Sequence, residues 1–169
     1  MLTKLGARHV EQSSMPNRLL DCHARIRGFC NLAIRLADGG PADQVREAAT
    51  QLWRYFAIAL PLHLRDEEAS LRPRLERLDD APLLAALATM TPDHRESDRA
   101  LGTLVAQWQA IAGEPTERRC QETRTAAAWL DAHMHEHLRN EEEHIFPALQ
   151  RLPQSEWTAI VDEMVARRR

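Results

Sequence analysis

Residues 63–75 read HLRDEEASLRPRL, and residues 137–149 read HLRNEEEHIFPAL. The two stretches share His, Leu, Arg, two Glu, Pro and the final Leu at matching positions, and Asp66 in the first corresponds to the near-isosteric Asn140 in the second. Identity at seven of thirteen positions is improbable by chance. We therefore interpret the stretches as an internal repeat, which predicts two helical halves that each supply the same chemical group.

Each copy places a glutamate four residues after a histidine, in the pattern H-x-x-x-E. Residues i and i+4 project from one face of a helix, so the imidazole and one carboxylate oxygen can bind one cation while the other oxygen reaches a second. One further histidine on each of two other predicted helices adds an imidazole. Four imidazoles and two carboxylates from four helices suit a pair of borderline metal ions. The candidate ligands are His23, His63, Glu67, His94, His137 and Glu141.

The composition favours helices. Ala, Leu, Arg and Glu are the dominant residues and are strong helix formers, whereas only 5% of the residues are aromatic and 6 are Gly. A chain of 169 residues is expected to form one domain, here residues 1–169. We predict an all-α, antiparallel up-down four-helix bundle with its core at about residues 17–149 and a short extra C-terminal helix.

Apolar periodicity places the individual helices. The predicted bundle helices cover residues 17–37, 42–78, about 92–113 and about 116–147. A connection over residues 79–92 contains a short helical piece, and Pro92 is interpreted as part of the first turn of the third helix, where proline is common. A kink is expected near Pro61, and Ser155 is expected to cap the last helix.

Charge and cysteine usage exclude several classes of function. The net charge is −3, without a basic stripe, so we expect no nucleic-acid partner. Three cysteines without a C-x-x-C pattern argue against a disulfide framework and a thiolate zinc site. No stretch has the length of a bilayer span, and residues 1–17 lack the apolar segment of a signal peptide. The expected location is the cytoplasm, without a membrane partner, and the sequence leaves the oligomeric state open.

Alternative interpretations of the histidines are less satisfactory. A single H-x-x-x-E pair is usually a surface ion pair, but here two copies align with the apolar face, where an unpartnered glutamate would cost several kcal/mol. Ferritin-like di-iron proteins use the reverse pattern, E-x-x-H. The zinc-protease pattern H-E-x-x-H begins at His135 and Glu136 but fails because residue 139 is Arg139.

The pattern H…H-x-x-x-E…H…H-x-x-x-E resembles the bacterial hemerythrin-like proteins with an HHE cation-binding domain. The resemblance covers about residues 17–149 and is especially close at EEEHIFP, residues 141–147. It implies a hemerythrin-like bundle that holds two iron ions, with Glu67 and Glu141 as bridging carboxylates. A water-derived oxo or hydroxo bridge is also implied. The implied histidine pairs are His23 with His63 for one iron and His94 with His137 for the other.

The chain departs from the invertebrate oxygen carriers of this family. Those proteins have a second histidine four residues after the one on the third helix, where this chain has Asp98. Their last carboxylate follows the histidine by five residues, the position of Glu142 rather than Glu141. The resemblance is closer to iron-sensing and iron–sulfur-repair relatives. It implies a protein that binds or senses O₂, NO or iron. The alternative is an enzyme for peroxide or NO turnover, or for iron donation in cluster repair. Zinc and manganese also accept these ligands.

Other polar residues are expected to lie outside the ligand set. Glu68 and Glu142 are interpreted as solvated helix charges, with metal contact after a rotamer change as the alternative. His133 is interpreted as a partly exposed helix residue, with ligation or a supporting hydrogen bond as the alternatives. His144 is expected to pack beside the ligands. His9 and His135 are expected on the surface, and the four tryptophans in the core.

Overall fold

The computed structural model describes residues 15–169. These residues form helices joined by short turns, and no strand occurs among them. We number the helices α1 Met15–Ala37, α2 residues 42–76, α3 Ala81–Gly113, α4 residues 117–149 and α5 Gln154–Ala166. Helices α1 to α4 pack in the cyclic order α1, α2, α3, α4, and α5 packs on α2. The predicted all-α bundle with an extra C-terminal helix is therefore confirmed.

Short turns with local hydrogen bonds connect the bundle helices. Gly39, at φ 78°, ends α1 in the left-handed conformation that glycine adopts without a steric penalty. Asp80 caps the start of α3, and its Oδ1 accepts from Leu83 N at 3.1 Å. The Thr116 hydroxyl caps the start of α4 by accepting from the backbone N–H of Arg119. Such tight connections make consecutive helices antiparallel neighbours.

The prediction that α3 begins near Pro92 is wrong, because the helix already begins at Ala81 and continues through this proline. A proline inside a helix removes one backbone hydrogen bond. Burial of Leu83, Leu87 and Met90 in the turns before Pro92 offsets that loss. The connection predicted over residues 79–92 is thus mostly helix, and only Pro82 occupies the first turn.

Two smaller expectations also differ from the structure. Ser155 does not cap α5, which begins at Gln154 after Pro153 and has no side-chain cap. Instead, the Pro153 carbonyl accepts backbone N–H groups from the first turn of that helix. Helix α4 is interrupted for one residue at Thr123, whose hydroxyl donates to Cys120 O at 2.7 Å.

Three π-helical turns widen the bundle helices, and they cover Tyr55–Ala59, Glu67–Leu71 and Glu141–Ile145. Each turn begins six residues before a proline, namely Pro61, Pro73 or Pro147. A proline ring clashes with the carbonyl of the preceding turn and offers no N–H to it. The widened turn relieves this conflict, so the kink predicted near Pro61 takes the form of a π turn.

The π turns also keep the inward-facing residues on the side of each helix that faces the bundle axis. The buried inward positions of α2 include Val45, Ala49, Leu52, Phe56, Leu60, His63, Glu67, Leu71 and Leu75. Most of these steps are four residues long, and four residues of regular α-helix rotate about 40° beyond a full turn. A π turn contains one residue more than an α-helical turn, and this extra residue compensates for the accumulated rotation. Both the ligand candidates and the core residues therefore face the bundle axis.

The apolar core consists of two clusters with a polar layer between them. The first cluster contains Ile26, Phe56, Leu101, Trp108 and Met134, among others. The second contains Leu19, Leu71, Met90, Ile145 and Leu149, among others. On every bundle helix the predicted ligands lie between residues of the two clusters, as His23 does between Leu19 and Ile26 on α1. The packing of the two clusters thus fixes the position of the polar layer along the bundle axis.

Helix α5 and the arginines that follow it cover one side of α2 through charged contacts. The Asp66 carboxylate is fully buried and accepts from Arg167 Nη1 at 2.7 Å and from Arg168 Nη2 at 2.5 Å. Buried Ser70 donates to Glu163 and accepts from Arg167. None of the helices in residues 15–169 carries an apolar stretch long enough to cross a membrane.

Candidate metal centre

The structure brings together all six side chains that the sequence predicts as ligands. Helices α1 and α3 contribute one side chain each, and α2 and α4 contribute two each. The six residues are His23, His63, Glu67, His94, His137 and Glu141, and none is more than 5% exposed. They form the polar layer between the two apolar clusters.

The six side chains form two overlapping groups, in each of which the ligand atoms lie within 4.8 Å of one another. The first group contains His23 and His63, the second contains His94 and His137, and both glutamates belong to both groups. Each group offers two imidazoles and two carboxylates. The geometry could therefore hold two cations that share the glutamates.

Each glutamate directs one oxygen towards each histidine pair. Glu67 Oε1 lies 2.9 Å from His63 Nε2, and its Oε2 lies 3.4 Å from His94 Nε2. Glu141 Oε2 lies 3.2 Å from His23 Nε2, and its Oε1 lies 3.5 Å from His137 Nε2. This is the arrangement that two carboxylates need in order to bridge two ions.

The facing atoms lack other partners. The four Nε2 atoms and the four glutamate oxygens are buried, and none makes a hydrogen bond within residues 15–169. Unsatisfied buried polar groups are costly and rare in folded proteins. Eight such atoms converging on one layer fit a pair of cations, since imidazole nitrogen and carboxylate oxygen are common metal ligands.

The imidazoles and carboxylates of the polar layer shift one another's pKa values. Burial lowers the pKa of His23, but the Glu141 and Glu67 carboxylates outweigh burial and raise it to about 9. Burial likewise opposes protonation of His63, yet Glu67 and the Cys22 side chain raise its pKa well above the usual value. The pKa of Glu67 is well below its usual range because the nearby imidazoles outweigh the effect of burial. The carboxylates therefore favour the protonated forms of His23 and His63.

The outward ring nitrogens meet a second set of side chains. His23 Nδ1 donates to Glu142 Oε1 at 2.8 Å, and His94 Nδ1 donates to Glu68 Oε1 at 3.0 Å. The interpretation of these two glutamates as merely solvated charges is therefore wrong. The sequence repeat contained the signal for this, because both copies place a second glutamate directly after the one that faces both histidine pairs.

The other two converging histidines, His63 and His137, meet different side chains on their outward faces. His137 Nδ1 lies 3.5 Å from Asp93 Oδ2. His63 meets the half-buried thiol of Cys22, and this contact lowers the pKa of the thiol. No repeat or motif in the sequence marks Cys22 or Asp93 as neighbours of the ligands.

The other histidines of residues 15–169 lie outside the two groups. His133 is partly exposed, as predicted, and its Nε2 lies 3.0 Å from Ser97 Oγ. Its ring stacks on Trp129, which is exposed rather than in the core. His144 does not pack beside the ligands, because it is exposed and its Nδ1 donates to Asn140 O at 3.2 Å. His135 is exposed as predicted, and the prediction for His9 falls outside the described residues.

Comparisons with known proteins agree with this geometry. No curated protein matches the chain significantly. The sequence model of one family, described as "Hemerythrin HHE cation binding domain", matches residues 14–149. This match spans all six converging side chains and ends before α5. The chain therefore belongs to the hemerythrin family with an HHE cation-binding domain.

Proposed function

We propose that the protein is a non-haem di-iron protein that binds or senses a small neutral molecule such as O₂ or NO. The observation that carries this proposal is the convergence of four imidazole nitrogens and four carboxylate oxygens without hydrogen-bond partners among the described residues. His23 and His63 would hold one iron, and His94 and His137 the other. Membership of a cation-binding family supports the same assignment.

The number of ligands leaves room for an external molecule. Eight donor atoms leave about four positions free on two six-coordinate ions, and an open position distinguishes a reactive metal site from a structural one. Iron there supplies reversible binding of a diatomic ligand. The chain's part is to keep the site dry, which it does with apolar residues that line the polar layer. They include Ile26, Leu60, Leu101 and Met134, all buried.

A surface cleft of about 310 Å³ reaches the polar layer beside His94. Its lining combines apolar, hydroxyl and charged side chains and includes Leu64, Glu68, Thr91, His94 and Asp98. We propose that a small molecule approaches the ion at His94 and His137 from this cleft between α2 and α3, because His94 contributes to its lining. The other ion lies on the far side of the shared glutamates from this opening.

Metal analysis and spectroscopy test the proposal. After anaerobic reconstitution with ferrous iron, we expect about two iron ions per chain and a visible spectrum that changes when O₂ or NO is added. His135→Ala is the matched control, since this histidine is exposed. A reproducible content of one ion or none would contradict the metal assignment. An iron-loaded protein that is silent to both gases would contradict the ligand-binding role.

An enzyme that turns over peroxide or NO would use the same residues but would give a different experimental result. Multiple-turnover consumption of peroxide or NO by the iron-loaded chain would favour it over reversible binding. The cytoplasmic location stays a prediction.

A further inference from the structure

The six converging side chains divide into two kinds. His63 and His137 share a helix with a bridging glutamate four residues later, so the helix itself sets the spacing of each pair. His23 on α1 and His94 on α3 have no such partner on their own helix. Their ring orientation therefore depends on contacts from neighbouring helices.

The second glutamate of each repeat copy makes that contact. Glu142 on α4 reaches across to His23 Nδ1 on α1, and Glu68 on α2 reaches across to His94 Nδ1 on α3. Both contacts leave Nε2 of the same ring facing the bridging glutamates. An acceptor at Nδ1 keeps the proton on that nitrogen and leaves Nε2 free to bind a metal.

Each of these carboxylates is held by a second donor from the helix that carries the lone histidine. Arg27, one turn after His23, donates to both Glu142 oxygens at 2.8 and 2.9 Å. Thr91, three residues before His94, donates to Glu68 Oε1 at 2.6 Å. Arg72, on the same helix as Glu68, adds a contact of 3.4 Å from its Nη1 to Glu68 Oε2. Both carboxylates are thus held by the lone histidine, by a residue on the helix of that histidine and by a guanidinium, although in the second case the guanidinium lies on the helix of the carboxylate.

An ordinary surface ion pair is a weaker explanation for these contacts. Exposed ion pairs contribute little to stability, and Glu142 and Glu68 are 26% and 31% exposed. A surface pair does not require that the two glutamates reach His23 and His94, which are the two of the four converging histidines that lack a glutamate partner on their own helix. The symmetric placement points instead to a role at the metal layer.

We propose that Glu68 and Glu142 are paired positioning residues, each of which fixes the tautomer and the ring angle of one lone histidine on a neighbouring helix. Each repeat copy thus supplies a ligand histidine, a bridging glutamate and a glutamate that orients a third ligand. The inference rests on the proposed metal-binding function. It assigns Glu142 to the ion held by His23 and His63, and Glu68 to the ion held by His94 and His137.

Metal release from single variants tests this division. In Glu142→Ala we expect the affinity for one of the two ferrous ions to fall about 10- to 100-fold, the usual effect of removing a hydrogen-bond partner from a metal-bound histidine. Competition with a chelator should then show one ion leaving faster and the other leaving as in the wild type. Glu142→Gln should lose less, because its amide oxygen still accepts from Nδ1. Glu68→Ala should loosen the opposite ion.

A second measurement separates positioning from a general loss of stability. In the zinc-loaded protein, nitrogen NMR of the imidazoles should show faster exchange of the His23 Nδ1 proton in Glu142→Ala and of the His94 Nδ1 proton in Glu68→Ala. The matched control is Glu143→Gln, an exposed neighbour that should leave both protons and both affinities unchanged.

The outcomes are distinguishable. A wild type that binds two ions, with Glu68→Ala and Glu142→Ala indistinguishable from Glu143→Gln, would overturn this inference alone. Equal loosening of both ions and both ring protons by either variant would also overturn it. A wild-type chain that binds no metal would overturn the proposed function and this inference together.

Discussion

The two copies of the repeat agree on the inside of the bundle and differ on the outside. Both supply a histidine, a glutamate that faces both histidine pairs, a neighbouring glutamate and a proline-linked π turn. At the fourth position, however, Asp66 is buried beside α5, whereas Asn140 is partly exposed and its side-chain amide donates to Thr89 Oγ1 at 3.2 Å. The comparison teaches that the repeat preserves chemistry towards the metal layer, while the outward face of each copy follows its own surroundings.

The difference extends one turn further along each helix. Ser70 is buried among the charged residues of α5, whereas its counterpart His144 is exposed. The first copy therefore depends on the C-terminal helix for its cover, and the second does not. Variants can separately test the inward-facing residues, which the two copies share, and the outward-facing residues, in which they differ.

The largest expected effect tests the shared inside. Glu67→Ala and Glu141→Ala should each remove both metal ions, because each carboxylate directs one oxygen towards each histidine pair. His23→Ala should weaken mainly one ion. Metal content after gel filtration measures the result. If one glutamate variant kept both ions and the other lost both, the two copies would not be equivalent.

The next effect concerns protons in the metal-free chain. The pKa of His23 is raised to about 9 from an unfolded value of 6.5, and that of His63 is raised as well. Groups with a raised pKa stabilise the fold fully below pH 6.5, and this contribution is lost as the pH rises towards 9. Denaturant unfolding of the metal-free protein should therefore give a falling free energy of unfolding across this window.

Two comparisons sharpen the pH prediction. His63→Gln should flatten the decline, because it removes one of the titrating groups. Metal binding must release the same protons, so the metal affinity should rise with pH over the same range. A metal-free wild type whose stability is constant between pH 6.5 and 9 would contradict the raised pKa values of His23 and His63.

A third effect tests the unequal outside. Arg167→Ala with Arg168→Ala leaves the Asp66 carboxylate without its two partners, and loss of a buried charge partner costs about 3 kcal/mol. Asp66→Asn copies the second repeat. On that background, the same arginine changes should cost less than about 1 kcal/mol, since a neutral amide needs no charge partner. Equal losses on both backgrounds in urea unfolding would argue against the Asp66 contacts.

The smallest effect comes from the converse change. Asn140→Asp makes the second copy resemble the first, but this position is partly open to solvent. We expect the free energy of unfolding to change by no more than about 0.5 kcal/mol. Metal content should also be unchanged. If the free energy of unfolding fell by more than about 1 kcal/mol, Asn140 would be less open to solvent than its contacts indicate.

Local patterns predicted four bundle helices, and the H-x-x-x-E spacing on an amphipathic helix placed His63 with Glu67 and His137 with Glu141 on the inward face. His23 and His94 were predicted only as single histidines on the other two helices, and the structure brings them to the same layer. The start of α3 was missed because Pro92 has the appearance of a helix beginning, and only burial of the preceding apolar turns reveals the longer helix. The partners of Asp66 lie about 100 residues away along the chain. Such contacts depend on how α5 packs, which spacing within a single helix does not specify.

The proline-linked π turns have a consequence for the rate of metal uptake. If the turn at Glu67–Leu71 became regular helix, the residues after it would rotate by about 100° for the one residue absorbed, and Leu75 would leave the core. Pro73 opposes this change, and Pro147 does the same on α4. The metal-free chain therefore keeps its side chains preorganised. We expect iron uptake to be limited by passage through the cleft and by proton exchange, without a refolding phase.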